Sequence, residues 1–173
     1  MDYFLCLEEP LFSHRPKVKG WSEKFSVQDL YKGDYSKIPN RVLLEIEEDR
    51  DVDFVDILSV PFLMVSKKVK KVMEAYEPNL KFKEIVLLEK KHGKVGEFYL
   101  PLLKSKEALI YGSSRKPYKM WEQSIISKEK VGDTAVFYVD GVDRKAGIWR
   151  EDILESILAR YAYGFQIKKI EAL

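Results

Sequence analysis

The sequence predicts an α+β fold in one domain, 1–173: a mixed or mainly antiparallel sheet of about eight strands with two short amphipathic helices, at about 66–77 and 151–161, packed on it. Three observations carry that expectation. Val42, Leu44 and Ile46 alternate with Arg41, Glu45 and Glu47 at the period of a strand with one wet face. Val69, Val72, Met73 and Tyr76 recur at helical spacing. So do Ile153, Leu154, Ile157, Leu158 and Tyr161, the predicted buried stripe of the second helix.

Taken in order, Tyr3-Phe4-Leu5-Cys6-Leu7 is short, aromatic and apolar, a first strand entering the core at once. Residues 8–41 follow as an irregular region broken by Pro10, Pro16, Gly20, Gly33 and Pro39. Its aromatics Phe12, Trp21, Phe25, Tyr31 and Tyr35 imply that it packs on the body, since a free linker rarely carries five. The strand at 41–47 comes next. After an acidic turn, two short apolar runs at 54–58 and 62–65 are broken by Pro61. The helix at 66–77 has Ser66 to cap its N-terminus and Pro78 to stop it. Candidate strands follow at 82–89, 97–102 and 108–111, and the turn Lys90-Lys91-His92-Gly93-Lys94 makes the first two a hairpin. Residues 134–139 and 146–149 read as a strand pair flanking Asp140-Gly141. In the last helix Glu151 and Asp152 occupy the first turn and Arg160 the last, both favourable to the helix dipole. Gly164 ends it, and residues 165–170 return as a closing strand.

With 173 residues, 46% hydrophobic and 13% aromatic, the chain can build one core and is too apolar for intrinsic disorder. No apolar run reaches the ~20 residues that span a bilayer. Residues 1–10 carry Asp2, Glu8 and Glu9 and no basic start, so no signal peptide is expected. A lone Cys6 forms no internal disulfide and fits a reducing compartment, so the expected location is cytoplasmic. The net charge of +2 hides a sorting along the chain: residues 1–60 hold 8 Lys+Arg against 13 Asp+Glu, 61–123 hold 14 against 7, and 124–173 hold 8 of each.

The residues name no chemistry of their own. His14, His92 and Cys6 have no partners at metal-ligand or triad spacing, so each reads as a loop histidine or a buried thiol, and no metal or cofactor is expected. Gly112-Ser113-Ser114 lacks the second glycine of a nucleophile elbow. No glycine-rich phosphate cradle occurs. Asp140-Gly141-Val142-Asp143 is too short for a calcium loop and reads as a turn. Trp149 reads as core, whereas Trp21 and Trp121 are either interface anchors or packing under loops.

Two charge clusters remain. Residues 45–56 hold seven acids and one base, which repel one another unless something cationic approaches. Glu45, Glu47, Glu48, Asp49, Asp51 and Asp53 are therefore the candidate partner-binding residues, with a solvated strand end as the plainer reading. The basic cluster, Lys67, Lys68, Lys70, Lys71, Lys90, Lys91, Lys94, Arg115, Lys116 and Lys119 with Tyr118 and Trp121, raises a nucleic-acid reading of segment 67–119. A solvated helix face is the plainer account, with Lys70 spaced to pair with Glu74.

Pro61-Phe62-Leu63-Met64-Val65-Ser66 running into the lysine-rich helix, then Tyr76-Glu77-Pro78-Asn79-Leu80, Phe82-Lys83-Glu84-Ile85 and Phe98-Tyr99-Leu100-Pro101, resembles an immunity-protein family of bacterial polymorphic-toxin systems. Ala135-Val136-Phe137, Gly147-Ile148-Trp149 and Tyr163-Gly164-Phe165 extend the resemblance to about residues 42–172. Arg150 stands where a Ser or Thr cap is expected. The resemblance implies a cytoplasmic, non-catalytic protein that binds a cognate protein toxin, with no catalytic residue to carry over. It implies no membrane partner, and homo-oligomers stay open. The competing expectations are the nucleic-acid module and a small enzyme whose carboxylates meet only in three dimensions.

Overall fold

The protein was analysed as a computed structural model that describes residues 1–111, 124–140 and 146–173. Among the described residues thirteen strands and four α-helices run in the order β1 (Tyr3–Glu8), β2 (Val18–Lys19), α1 (Val27–Lys32), β3 (Arg41–Ile46), β4 (Ile57–Leu58), β5 (Met64–Ser66), α2 (Lys67–Tyr76), β6 (Phe82–Glu89), β7 (Lys94–Pro101), β8 (Ser105–Lys106), β9 (Leu109–Tyr111), β10 (Ile125–Ile126), α3 (Lys128–Val131), β11 (Val136–Val139), β12 (Ile148–Arg150), α4 (Glu151–Leu158) and β13 (Phe165–Ala172). The fold is α+β with mixed sheets and two main amphipathic helices, as the patterning predicts. The strands divide between two sheets, however, where a single sheet of about eight was expected.

The first sheet has the order β8-β11-β12-β1-β13-β10-β9 and the second β2-β3-β6-β7-β5-β4. Each is mixed: β13 pairs in parallel with β10, β11 with β8, and β3 with β6. β1 lies centrally, antiparallel to both β12 and β13, and has a hydrophobic core packed on each of its faces. Alternation sorts its side chains between them. Cys6 joins α2, α4 and Trp149 in one core, and Tyr3, Leu5 and Leu7 join Phe137, Ile148 and Ile170 in another.

The first of these cores ties the molecule together, because Val65 and Ile57 of the second sheet enter it beside Val136 and Trp149 of the first. Val69, Val72 and Met73 of α2 and Ile153, Leu154 and Ile157 of α4 fill the space between. The Tyr76 hydroxyl joins the two helices, lying 3.0 Å from the Asp152 carbonyl and 2.6 Å from Ser156 Oγ. Glu8 joins the sheets, its Oε2 accepting from the backbone N–H groups of Ser59 and Val60 at 3.3 and 3.2 Å.

Ser66 caps α2 as expected, its hydroxyl accepting from Val69 N–H. The last helix departs from expectation at its end. Leu158 and Tyr161 are 44% and 88% exposed, outside the predicted stripe, because α4 closes in a tight turn. Ala162 N–H reaches back to the Ile157 carbonyl and Tyr161 N–H to that of Leu158, with Tyr161 itself left-handed at φ 58°. That turn swings the Tyr161 ring into solvent. Arg160 lies beyond the helix and donates to the Ser156 carbonyl. At the other end Arg150 supplies no cap; its guanidinium grips Asp152 at 2.7 and 2.9 Å instead.

Within residues 8–41, Phe12, Trp21, Phe25 and Tyr35 belong to or pack against one hydrophobic core. Phe25, Leu30 and Ile38 are buried in the core on the inner face of the second sheet, and Trp21 lies against Phe25 and Phe62. It also contains α1, a helix the breaker-rich sequence did not predict, capped by Ser26 and ended by Gly33 at φ 73°.

Candidate functional site

The outer face of the second sheet is built by three strands in register. Directly opposed residues share a face, so β3, β6 and β7 present the rows Arg41–Glu84–Tyr99, Leu43–Val86–Glu97 and Glu45–Leu88–Val95. Helix α2 covers one end of this face. There Val65, Phe82 and Tyr99 pack beneath it, and Lys70 Nζ stands 5.1 Å from the Phe82 ring centre and 5.2 Å from that of Tyr99. The other end is open. Leu43 and Val95 are 52% and 58% exposed, and Val86 and Leu88 between them are half-buried. The result is an apolar quartet on a rigid sheet, rimmed by Arg41, Glu45, Glu84 and Glu97.

Nothing in the sequence pattern alone marked this quartet as a site. The nearest signal is that Val86 and Leu88 alternate with Ile85 and Leu87, a strand apolar on both faces, which by itself reads as one covered on both sides.

The acidic segment leaves β3 beside this face. Its charges are compensated far more than the sequence suggests. Lys90 pairs with Glu45 and Lys91 with Glu48, so the hairpin turn of the basic third of the chain neutralises the start of the segment. Bonding to Glu48 raises the Lys91 pKa above its ordinary value. Asp49 receives His14 Nδ1 at 2.9 Å. That bond lowers the Asp49 pKa and raises that of His14, the charges of Asp49, Asp51 and Asp53 adding to the latter. Asp53 accepts the Tyr163 hydroxyl at 2.6 Å, which with burial and the charges of Asp53 and Asp56 pushes the phenol up to about 12. Of the six predicted partner-binding residues, Glu45, Glu48 and Asp49 hold ion pairs and Asp53 a hydroxyl, whereas Glu47 and Asp51 have neither an ion pair nor a side-chain hydrogen bond among the described residues. The backbone of the segment is held as well, since Asp53 N–H donates to the His14 carbonyl at 2.8 Å.

Of the ten basic residues in the cluster, Lys68, Lys70, Lys90 and Lys91 are paired, and Lys67, Lys71 and Lys94 hold no ion pair among the described residues. Lys68 pairs with buried Asp56 at 3.0 Å and Lys70 with Glu74. Gly112, Ser113, Ser114, Arg115, Lys116, Tyr118, Lys119, Trp121, Gly141, Val142 and Asp143 lie outside the described residues. His92 caps its own turn: Glu89, 1% exposed, accepts from the backbone of Lys91 and His92 and from His92 Nδ1 at 2.9, 2.9 and 3.0 Å. Burial pushes the Glu89 carboxyl up, but these three bonds outweigh it and hold its pKa below the ordinary value. Cys6 is fully buried and its thiol pKa is raised by that burial, the environment of a packed thiol. Among the described residues no three His, Cys, Asp or Glu side chains gather as a metal-binding group. No helix of the described residues is long and apolar enough to cross a membrane.

Neither the protein-family models nor the curated proteins give a significant match to this chain.

Proposed function

We propose that the protein is a non-catalytic, cytoplasmic immunity-type protein that binds a cognate protein toxin and blocks it by occlusion. The observation that supports the reading best is the open quartet Leu43, Val86, Leu88 and Val95 with carboxylates around it. An apolar centre with a charged rim is the anatomy of a protein–protein interface, and a contiguous exposed apolar patch is costly unless something covers it. Glu47, Asp51 and Glu97 are unpaired among the described residues and steer a basic partner onto the face. Glu45, Glu48, Asp49 and Asp53 contribute less, because each already holds a partner of its own. A standard interface takes ~800 Å² from one protein, and the whole accessible surface here is 9446 Å². The nucleic-acid alternative is weakened by the ion pairs that occupy Lys68, Lys70, Lys90 and Lys91.

The test uses the product of a toxin-like reading frame adjacent to this gene, in an inactivated form, with binding followed by interferometry. A 1:1 complex is expected. Leu43→Asp with Val95→Asp should weaken it at least about 30-fold through loss of a buried anchor. Glu47→Lys with Asp51→Lys should slow association and flatten its salt dependence. No such neighbouring product, no complex, or a complex indifferent to Leu43 and Val95 rejects the reading.

A further inference from the structure

At the other end of the β6–β7 hairpin the two sheets meet over a cleft of about 300 Å³. Its walls come from four places in the chain: Glu77, Asn79 and Leu80 after α2, Lys81 and Leu102 at the base of the hairpin, Lys104 and Lys106 of the β8 strip, and Thr134 and Val136 of β11. The wall is held by backbone bonds. Leu102 N–H donates to the Lys81 carbonyl at 2.9 Å and Tyr138 N–H to that of Lys104 at 3.0 Å, which fixes β8 beside β11. Lys104, just before β8, and Lys106 within it both line the cleft, while the hydroxyl of Ser105 between them bonds Asp140.

What sets this cleft apart is that three lysines line it together. Lys68, Lys70, Lys90, Lys91 and Lys169 are each matched to a carboxylate. Lys81, Lys104 and Lys106 have no carboxylate within ion-pair distance among the described residues. The single acid in the lining, Glu77, has Oε1 engaged by Ala135 N–H at 2.6 Å. Three ammonium groups against one engaged carboxylate leave a net charge of +2, a self-repulsion that an anion would relieve. Leu80, Leu102 and Val136 add an apolar floor, and Asn79 and Thr134 neutral hydrogen-bonding groups. Lysines act on phosphate as point charges, whereas planar carboxylates favour arginine forks. The volume lies at the lower end of the roughly 300–1,000 Å³ of small-molecule sites, room for one ring and one phosphoryl group.

We propose that this cleft binds a small phosphomonoester, the phosphoryl group among Lys81, Lys104 and Lys106 and the ring of the organic body on Leu80, Leu102 and Val136. The site is separate from the open sheet face and does not depend on it.

Isothermal titration of the full chain tests this with phenyl phosphate, nucleoside 5′-monophosphates, the matching alcohols and inorganic phosphate. The monoesters should bind at least about tenfold more tightly than either half alone, and Lys81→Met, Lys104→Met and Lys106→Met should each weaken them about tenfold. Lys67→Met and Lys71→Met, the same charge change on the outer side of α2, should have no effect. Thermal melts report folding, and should a methionine variant melt early, the arginine variant at that position is titrated instead and should retain binding. Absence of saturable binding by every monoester up to about 5 mM, equal binding of inorganic phosphate, or equal sensitivity to Lys67→Met overturns the proposal. Tighter binding of a 5′-phosphorylated oligonucleotide than of the mononucleotide overturns its small-molecule assignment.

Discussion

Replacing Gly96 by alanine tests how the acidic segment is held on the second sheet. Gly96 lies in β7 with its α-hydrogens toward the inner core, and Phe54, near the end of the segment, packs across it. A Cβ at position 96 would lie 2.4 Å from Phe54 Cδ1, 2.6 Å from Cε1 and 2.9 Å from Cγ. The three nearest atoms belong to one ring, and that ring also packs against Phe98, with centroids 6.3 Å apart at 54°. Gly96 has no positive φ, so alanine meets no backbone strain there. The cost is overpacking alone, about 1–3 kcal/mol. Phe54→Ala removes the obstacle and, for a half-buried ring, costs about 2 kcal/mol, roughly half of a fully buried phenylalanine. In that background Gly96→Ala should be neutral or stabilising by about 0.5 kcal/mol, since glycine weakens a strand. The double-mutant cycle should therefore return a coupling of at least about 1 kcal/mol. Urea unfolding at constant m-value is the assay. A Gly96→Ala variant as stable as the native chain, or strictly additive changes, would refute the packing argument.

Two further outcomes follow from local geometry. Tyr161→Gly should raise stability by about 1 kcal/mol, because a left-handed residue other than glycine costs about that much and the ring, 88% exposed, contributes little packing. A destabilised variant in thermal or urea unfolding would contradict it. His14 should titrate above its ordinary value and fall back toward it in Asp49→Asn, followed by the ring resonances. Because the folded pKa of His14 is raised, its contribution to stability is complete below the ordinary histidine range and is lost as pH rises through the folded value. Asp49, lowered, acts in the opposite sense: its contribution is present above the ordinary carboxylate range and is lost as pH falls through the folded value. An unshifted His14 resonance, or one indifferent to Asp49→Asn, would remove the pair.

Local patterning made much of the fold legible. Alternation in 41–47, a capped helical stripe from Ser66, the glycine turn between β6 and β7 and the run after Gly164 all report forces acting within a few residues, and each of those elements is found. Helix α1 escaped because six residues are too few to show a period, although Ser26 and Gly33 marked its ends. The division into two sheets was not legible, since strands of two or three residues such as β4, β8 and β10 exist only through backbone bonds to distant partners.

The candidate site divides along the same line. The sequence by itself determined which residues carry charge and which are apolar, and so identified the acidic segment and its neighbouring strand. Tertiary structure decided which of those charges stay unpaired. Coulomb attraction acts through space without regard to sequence distance, so folding brings Lys90 and Lys91 onto Glu45 and Glu48, and His14 onto Asp49. It likewise decided that α2 covers only the Phe82–Tyr99 end of its sheet, because a ten-residue helix about 15 Å long cannot screen three strands of six to eight residues. Leu43, Val86, Leu88 and Val95 are open for that reason.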